Sequence, residues 1–167
     1  LITGASSGIG LSAAKRLQHE GFHVIAGVRN EKDFEGLAKL KMDPIVLDIK
    51  NSDAILKAVK TVENQLQNRR LAAIVNNAGV IDAGPFECTS PDREYDVIDT
   101  NLLGDIRMTR SFLPLLRKHQ GRVVFVGSVN GHLPALGMAT YVASKFAIRG
   151  LAYSLSQELE PVGVSVS

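Results

Sequence analysis

Short apolar runs alternate along this chain with longer stretches in which apolar positions recur every three or four residues. The runs at 22–26, 44–47, 71–75, 122–126 and 164–166 are apolar at successive positions, the pattern of strands covered on both faces. Between them the spacing predicts helices over 9–20, 32–39, 53–67, 91–119 and 140–160. Gly21 follows the first helix and Pro161 the last, both ordinary stop signals. Repeated strand, helix, strand units predict an α/β fold with a doubly wound parallel sheet. No internal repeat or linker divides it, so one domain over 1–167 is expected. Only Leu1 and Ile2 precede the first glycine turn, whereas a strand usually has about five or six residues. The stretch 163–167 reads as a strand ending where a loop should begin. The expectation is therefore a domain incomplete at both ends, with a substrate loop beyond Ser167.

Composition narrows the classes. With 45% hydrophobic and 22% charged residues over 167 positions, the chain is ordinary for a globular domain. Lys and Arg total 19 against 17 Asp and Glu, and the basic residues are scattered, which gives nucleic-acid binding no footprint. No apolar run reaches the roughly 18 residues that span a bilayer. Cys88 is the single cysteine, so neither an internal disulfide nor a cysteine metal cluster is available, which favours a cytoplasmic setting. The histidines His19, His23, His119 and His132 lack ligand spacing, and no metal is expected. His132, four residues after Ser128, is either a border of a substrate pocket or a loop histidine without such a role.

Two local patterns carry chemistry. Gly4, Gly8 and Gly10 lie where the first strand meets the first helix, and backbone amides with the helix dipole can hold an anion there. The spacing is G-x-x-x-G-x-G, which shares its mechanism with the general dinucleotide fingerprint G-x-G-x-x-G without matching its letters. Tyr141 and Lys145 stand four apart on one helix face, where an ammonium favours a phenolate beside it. A free tyrosine titrates near 10 and is a poor base at neutral pH without such help.

Read in order and spacing, Thr3-Gly-x-x-x-Gly-x-Gly10, Asn76-Asn-Ala-Gly79, Asn101, Ser128 and Tyr141-x-x-x-Lys145 resemble the short-chain dehydrogenase/reductase family. The resemblance covers the chain nearly end to end. It implies a Rossmann-type fold, a nicotinamide cofactor, and hydride transfer to or from a carbonyl or secondary alcohol carbon. It implies Tyr141 as general acid/base, Ser128 on the substrate oxygen, Lys145 beside the tyrosine and the nicotinamide ribose, and Asn101 in a bent helix behind them. Gly4, Ser6, Ser7, Gly8, Ile9, Gly10, Asp48, Ile49, Asn77, Ala78 and Gly79, together with Tyr141 and Lys145, fall at its cofactor positions, while Asn76 secures the strand. Asp48 is equally readable as part of a helix-capping turn.

The end of the second strand usually carries an acid that reads the ribose of NAD. Val28 stands there instead, followed by Arg29, whose guanidinium suits a phosphate. By resemblance to NADP-preferring members, NADP(H) is favoured over NAD(H), with Ser6 or Ser7 helping at the phosphate; the alternative is that Arg29 is a solvated loop charge. The resemblance also implies a homodimer or homotetramer, and the stripe Met108, Phe112, Leu115, Leu116 reads as either interface or core. Asp99-Thr-Asn-Leu-Leu-Gly104 and Ser144-Lys-Phe-Ala147 are similar to members acting on retinoids, steroids or other lipophilic alcohols. A nicotinamide-binding redox-sensing module without turnover is the competing reading, and an isomerase or dehydratase using the cofactor transiently is a third.

Overall fold

Residues 1–167 are all described in the computed structural model. The apolar runs form six strands: β1 (Ile2–Thr3), β2 (Ile25–Val28), β3 (Asp43–Val46), β4 (Ala73–Asn76), β5 (Arg122–Phe125) and β6 (Ser165–Val166). All pair in parallel in the order β3-β2-β1-β4-β5-β6. The helices are α1 (Gly8–His19), α2 (Phe34–Lys39), α3 (Ser52–Leu66), α4 (Pro91–Ile98), α5 (Asp105–His119) and α6 (Ala139–Leu159). This is the doubly wound, Rossmann-type architecture that the alternating pattern predicts. Its strand order reverses direction between β1 and β4, which opens a crevice at their carboxyl ends.

Alternation along the strands divides the core. Ile25 joins a cluster with Ile55, Val62, Met108, Phe112 and Ile148, so α3, α5 and α6 cover that face. Its neighbour Ala26 joins a smaller cluster with Ala14 and Leu37, so α1 and α2 cover the other. Met108, Phe112, Leu115 and Leu116 all lie in the larger cluster, which assigns that stripe to the core. The helix starts are built locally: Asn51 Oδ1 accepts from the amides of Asp53 and Ala54 (2.9 and 3.1 Å) to cap α3, and Ser90 caps α4 with Pro91 in its first turn.

Two elements depart most from the expected boundaries. β2 lies at Ile25–Val28 and not at 22–26, because Phe22 and His23 are exposed and His23 pairs with Asp43 at 2.8 Å outside the ladder. The shift carries the end of β2 to Val28, immediately before Arg29. The expected helix over 91–119 is continuous but interrupted by a π-helical stretch at Asp99–Gly104. No helix is long and apolar enough to cross a membrane.

Candidate active site

The glycine turn is shaped by close approach. Gly4 has φ +63° and Gly8 φ +54°, in the left-handed region that glycine tolerates best. At Gly10 a Cβ would overlap Asn77 Nδ2 and lie 2.5 Å from Gly4 O, so nothing larger fits between the turn and β4. The first helical bond of α1 is from the Leu11 N–H to Ser7 O (3.1 Å), which leaves the amides before it free of helical partners, and no acid stands in that first turn. An anion at this helix end meets N–H groups and the positive end of the dipole.

The turn borders a cleft of about 720 Å³. Gly4, Ser6, Ser7, Gly8, Ile9, Gly10, Arg29, Asp48, Ile49, Asn77, Ala78 and Gly79 all line it. Arg29 is exposed at its rim, next to the buried Val28, and takes part in none of the chain's ion pairs. Asp48 Oδ1 accepts from the Lys50 N–H (2.9 Å), a local turn that leaves Oδ2 for other partners. A turn with glycines at its closest approaches, a helix end without acids and an unpaired cation at the rim fit a dinucleotide.

Polar side chains tie this cleft to the strands. Thr3 Oγ1 accepts from the N–H groups of Asn77 and Ala78 (both 2.9 Å). Asn77 Nδ2 donates to Thr3 O and Gly4 O (2.8 and 3.2 Å), so the side chain of Asn77 fixes the glycine turn, and the residue also lines the cleft. Asn76 turns the other way, donating to Thr109 Oγ1 at 3.0 Å.

Asn101 is fully buried within the π-helical stretch. Its Oδ1 accepts from the Val80 N–H, and its Nδ2 donates to Val80 O, both at 2.8 Å. The same Nδ2 donates to Ser144 Oγ (3.2 Å), and Ser144 Oγ donates to Tyr141 O (2.7 Å). One asparagine thus connects the segment after β4 to the first turns of α6.

On α6, Lys145 Nζ lies 5.9 Å from the Tyr141 ring centroid and donates to Val126 O (2.9 Å). Lys145 is buried while Tyr141 is partly open. Ser128, just past β5, caps a short 3-10 turn by accepting from the Asn130 N–H (3.1 Å). Ser128, Lys145 and His132 line a second cavity of about 320 Å³, separate from the glycine cleft. Tyr141 lines neither of these two cavities. The structure therefore brings Tyr141 to Lys145, and Lys145 to Ser128, while Asn101 links this group to Val80 on the cleft wall.

The profile of the family described as short chain dehydrogenase matches residues 1–167. The chain belongs to this family. Among its members, D-beta-hydroxybutyrate dehydrogenase, mitochondrial, from Mus musculus is 38% identical over 176 aligned positions, covering 100% of this chain and 51% of the relative. Retinol dehydrogenase 16 from Mus musculus is 38% identical over 170 positions, with 99% and 53% covered. The chain thus spans about half the length of these curated relatives. The crystal structure of a short-chain dehydrogenase from Streptomyces avermitilis superposes with TM-score 0.91 at 31% identity, over 99% of this chain and 62% of the other. A metagenomic short-chain oxidoreductase in complex with NADP superposes equally, TM-score 0.91 at 29% identity, over 99% and 78%.

Several residues of the cleft wall in this family member have no signal in the sequence. Val80 and Thr100 line the cleft because the segment after β4 and the π-helical stretch meet at the Val80–Asn101 hydrogen bonds, and Lys32 reaches it from the segment after β2. Lys50 also borders the cleft, but its ammonium is held by Asp96 at 2.7 Å, and that hydrogen bond raises it above the usual lysine range. His119 has a structural part, accepting at Nδ1 from the Leu71 N–H (2.7 Å).

Proposed function

We propose that this chain catalyses hydride transfer between NADP(H) and a carbonyl or secondary alcohol, with Tyr141 as general acid/base. The observation that supports the reading is the position of Lys145, whose Nζ lies 5.9 Å from the Tyr141 ring centroid and which shares a cavity with Ser128. When bound, the nicotinamide supplies or takes up the hydride. The chain's own residues do the rest. Amides at the start of α1 hold the diphosphate, Asp48 and Ile49 take the adenine, and Arg29 pairs with the 2′-phosphate. In reduction Tyr141 gives its phenolic proton to the substrate oxygen; in oxidation it removes the hydroxyl proton. Lys145 stabilises the negative charge gathering on the phenolic oxygen as that proton leaves, and Ser128 Oγ hydrogen-bonds the substrate oxygen where charge develops. Asn101 holds the turn that carries Tyr141 and Ser144 against Val80.

Exposed apolar side chains in the segments after β4 and β5 favour a lipophilic substrate. Ile81 and Phe86 follow β4, Val129, Leu133 and Leu136 follow β5, and all five are exposed. Relatives bear names that refer to hydroxybutyrate and to retinol, and these side chains suit the second kind better. Tyr95, Leu103, Phe146 and Tyr153, exposed on α4, α6 and the π-helical stretch between α4 and α5, provide apolar surface for a homodimer or homotetramer.

NADPH oxidation with a panel of ketones and retinoid or steroid carbonyls tests the activity, and parallel assays with NADH test the cofactor. Turnover with NADPH faster than with NADH at matched concentration supports the reading. Nicotinamide binding without turnover supports a redox-sensing module instead, and preference for NADH overturns the role of Arg29.

A further inference from the structure

Of the carboxyl side chains in this chain, Asp105 and Asp82 are buried, and only Asp82 is ion-paired. Asp82 lies in the segment after β4, two residues beyond Val80, and its partner is the exposed guanidinium of Arg93 on α4. Its Oδ2 is buried without a hydrogen-bond partner. Asp82 shares a cavity of about 10 Å³ with Gly137, Ala139 and Thr140, the turn before α6 and the first two residues of that helix. A space of this size admits no more than a water molecule, so the start of α6 is the carboxylate's neighbour across it. Thr89 also borders the cavity, but its hydroxyl is engaged elsewhere, donating to Glu94 Oε1 at 2.6 Å. A backbone bond from the Gly84 N–H to Gly137 O (2.8 Å) ties the two segments together.

This end of α6 lacks a cap of its own. Met138, at the cap position, makes no side-chain bond, no acid stands in the first turn, and the first helical bond runs from the Val142 N–H to Met138 O (2.8 Å). The N–H groups of Ala139, Thr140 and Tyr141 precede that ladder, and a carboxylate beside them meets the positive end of the helix dipole. We propose that Asp82 is a positioning residue acting through Tyr141: its carboxylate anchors the first turn of α6 and so fixes the phenol relative to Lys145. Arg93 balances the buried charge from the other side. The inference rests on the reading that Tyr141 moves the proton. Lys145 lies one turn deeper, buried and held by Val126 O, whereas Tyr141 is the third residue of the helix and partly open. Slack in the first turn therefore displaces the phenol and leaves the lysine in place.

The test has a spectroscopic and a kinetic arm. In the full chain, the amide proton resonances of Ala139, Thr140 and Tyr141 are expected to move in Asp82→Asn, while those of Gly8 and Gly10 in the glycine turn stay in place. Unmoved resonances at the start of α6 overturn the proposal whatever the enzyme's activity. In the kinetic arm, kcat for carbonyl reduction by Asp82→Ala, corrected for the folded fraction, is expected to fall about tenfold with KM for NADPH within about twofold. Asp82→Asn, whose amide oxygen still accepts, is expected to recover part of that loss. An unchanged kcat per folded molecule, or a fall in kcat matched by a rise in KM for NADPH, marks a merely structural role and overturns the proposal. If Asp82→Ala does not fold, Asp82→Asn serves in both arms, with a lowered kcat expected and an unchanged one overturning the proposal. Absence of turnover in the parent contradicts the oxidoreductase reading and leaves the amide resonances to decide whether Asp82 anchors α6.

Discussion

In the proposed reading a single side chain, Arg29, chooses the cofactor. It is exposed, unpaired and on the rim of the glycine cleft, and Val28 beside it offers no carboxylate to a ribose. A charge-assisted contact of this kind contributes about 1.5–3 kcal/mol. Arg29→Ala is therefore expected to raise KM for NADPH by about tenfold or more while leaving KM for NADH within about twofold, measured by initial rates. Residues of this sort were legible because their chemistry is local: a glycine turn, an arginine after a strand, a tyrosine four before a lysine. Thr100, Val80 and Lys32 were not, since they reach the cleft only through the meeting of distant segments. Asp105 was also invisible, because an acid near a helix start is normally a solvated first-turn charge and only packing shows that this one is buried.

The elements were legible where periodicity is strong and missed where burial contradicts residue type. Phe22 drew the expected second strand three residues too early, although its ring is half exposed and the ladder begins at Ile25. The π-helical stretch has no period of its own in the sequence; only the resemblance placed a bend at Asn101. That side chain explains the local geometry, since it bonds both backbone groups of Val80 and reaches Ser144 as well. Asn101→Ala removes these bonds and leaves the Val80 N–H and C=O without them. It is expected to lower unfolding free energy by about 2–4 kcal/mol in denaturant titrations and to reduce kcat more than it raises KM for the cofactor. Asn101→Asp, which keeps the acceptor for the Val80 N–H, is expected to fall between parent and alanine variant.

For the whole molecule, the strand order and the two-sided core follow from the alternation of short apolar runs with amphipathic helices, because parallel strands joined by right-handed crossovers have few arrangements. What the alternation does not show is where polar groups are trapped inside, and this governs how stability responds to pH. Asp105 has an ordinary value of 3.8 when unfolded and about 8 when folded, so between these pH values the native state holds the extra proton. Its contribution is thus fully present below about pH 4 and is lost as pH rises through 8. The difference between variant and parent isolates the carboxyl. The stability of Asp105→Asn relative to the parent is expected to increase from pH 5 to pH 8, by at most about 1.4 kcal/mol per unit, in urea titrations at each pH. A difference independent of pH would show that the carboxyl is ionised in the folded state throughout.

The central claim is that the Tyr141 phenol moves the proton during hydride transfer. Its most direct test compares NADPH-dependent carbonyl reduction by the parent and Tyr141→Phe, with NADPH affinity measured for both by fluorescence. The account predicts a fall in kcat of about 10²–10⁴-fold with affinity within twofold, since the substitution removes a general acid and spares the glycine cleft. Undiminished turnover in Tyr141→Phe would contradict it.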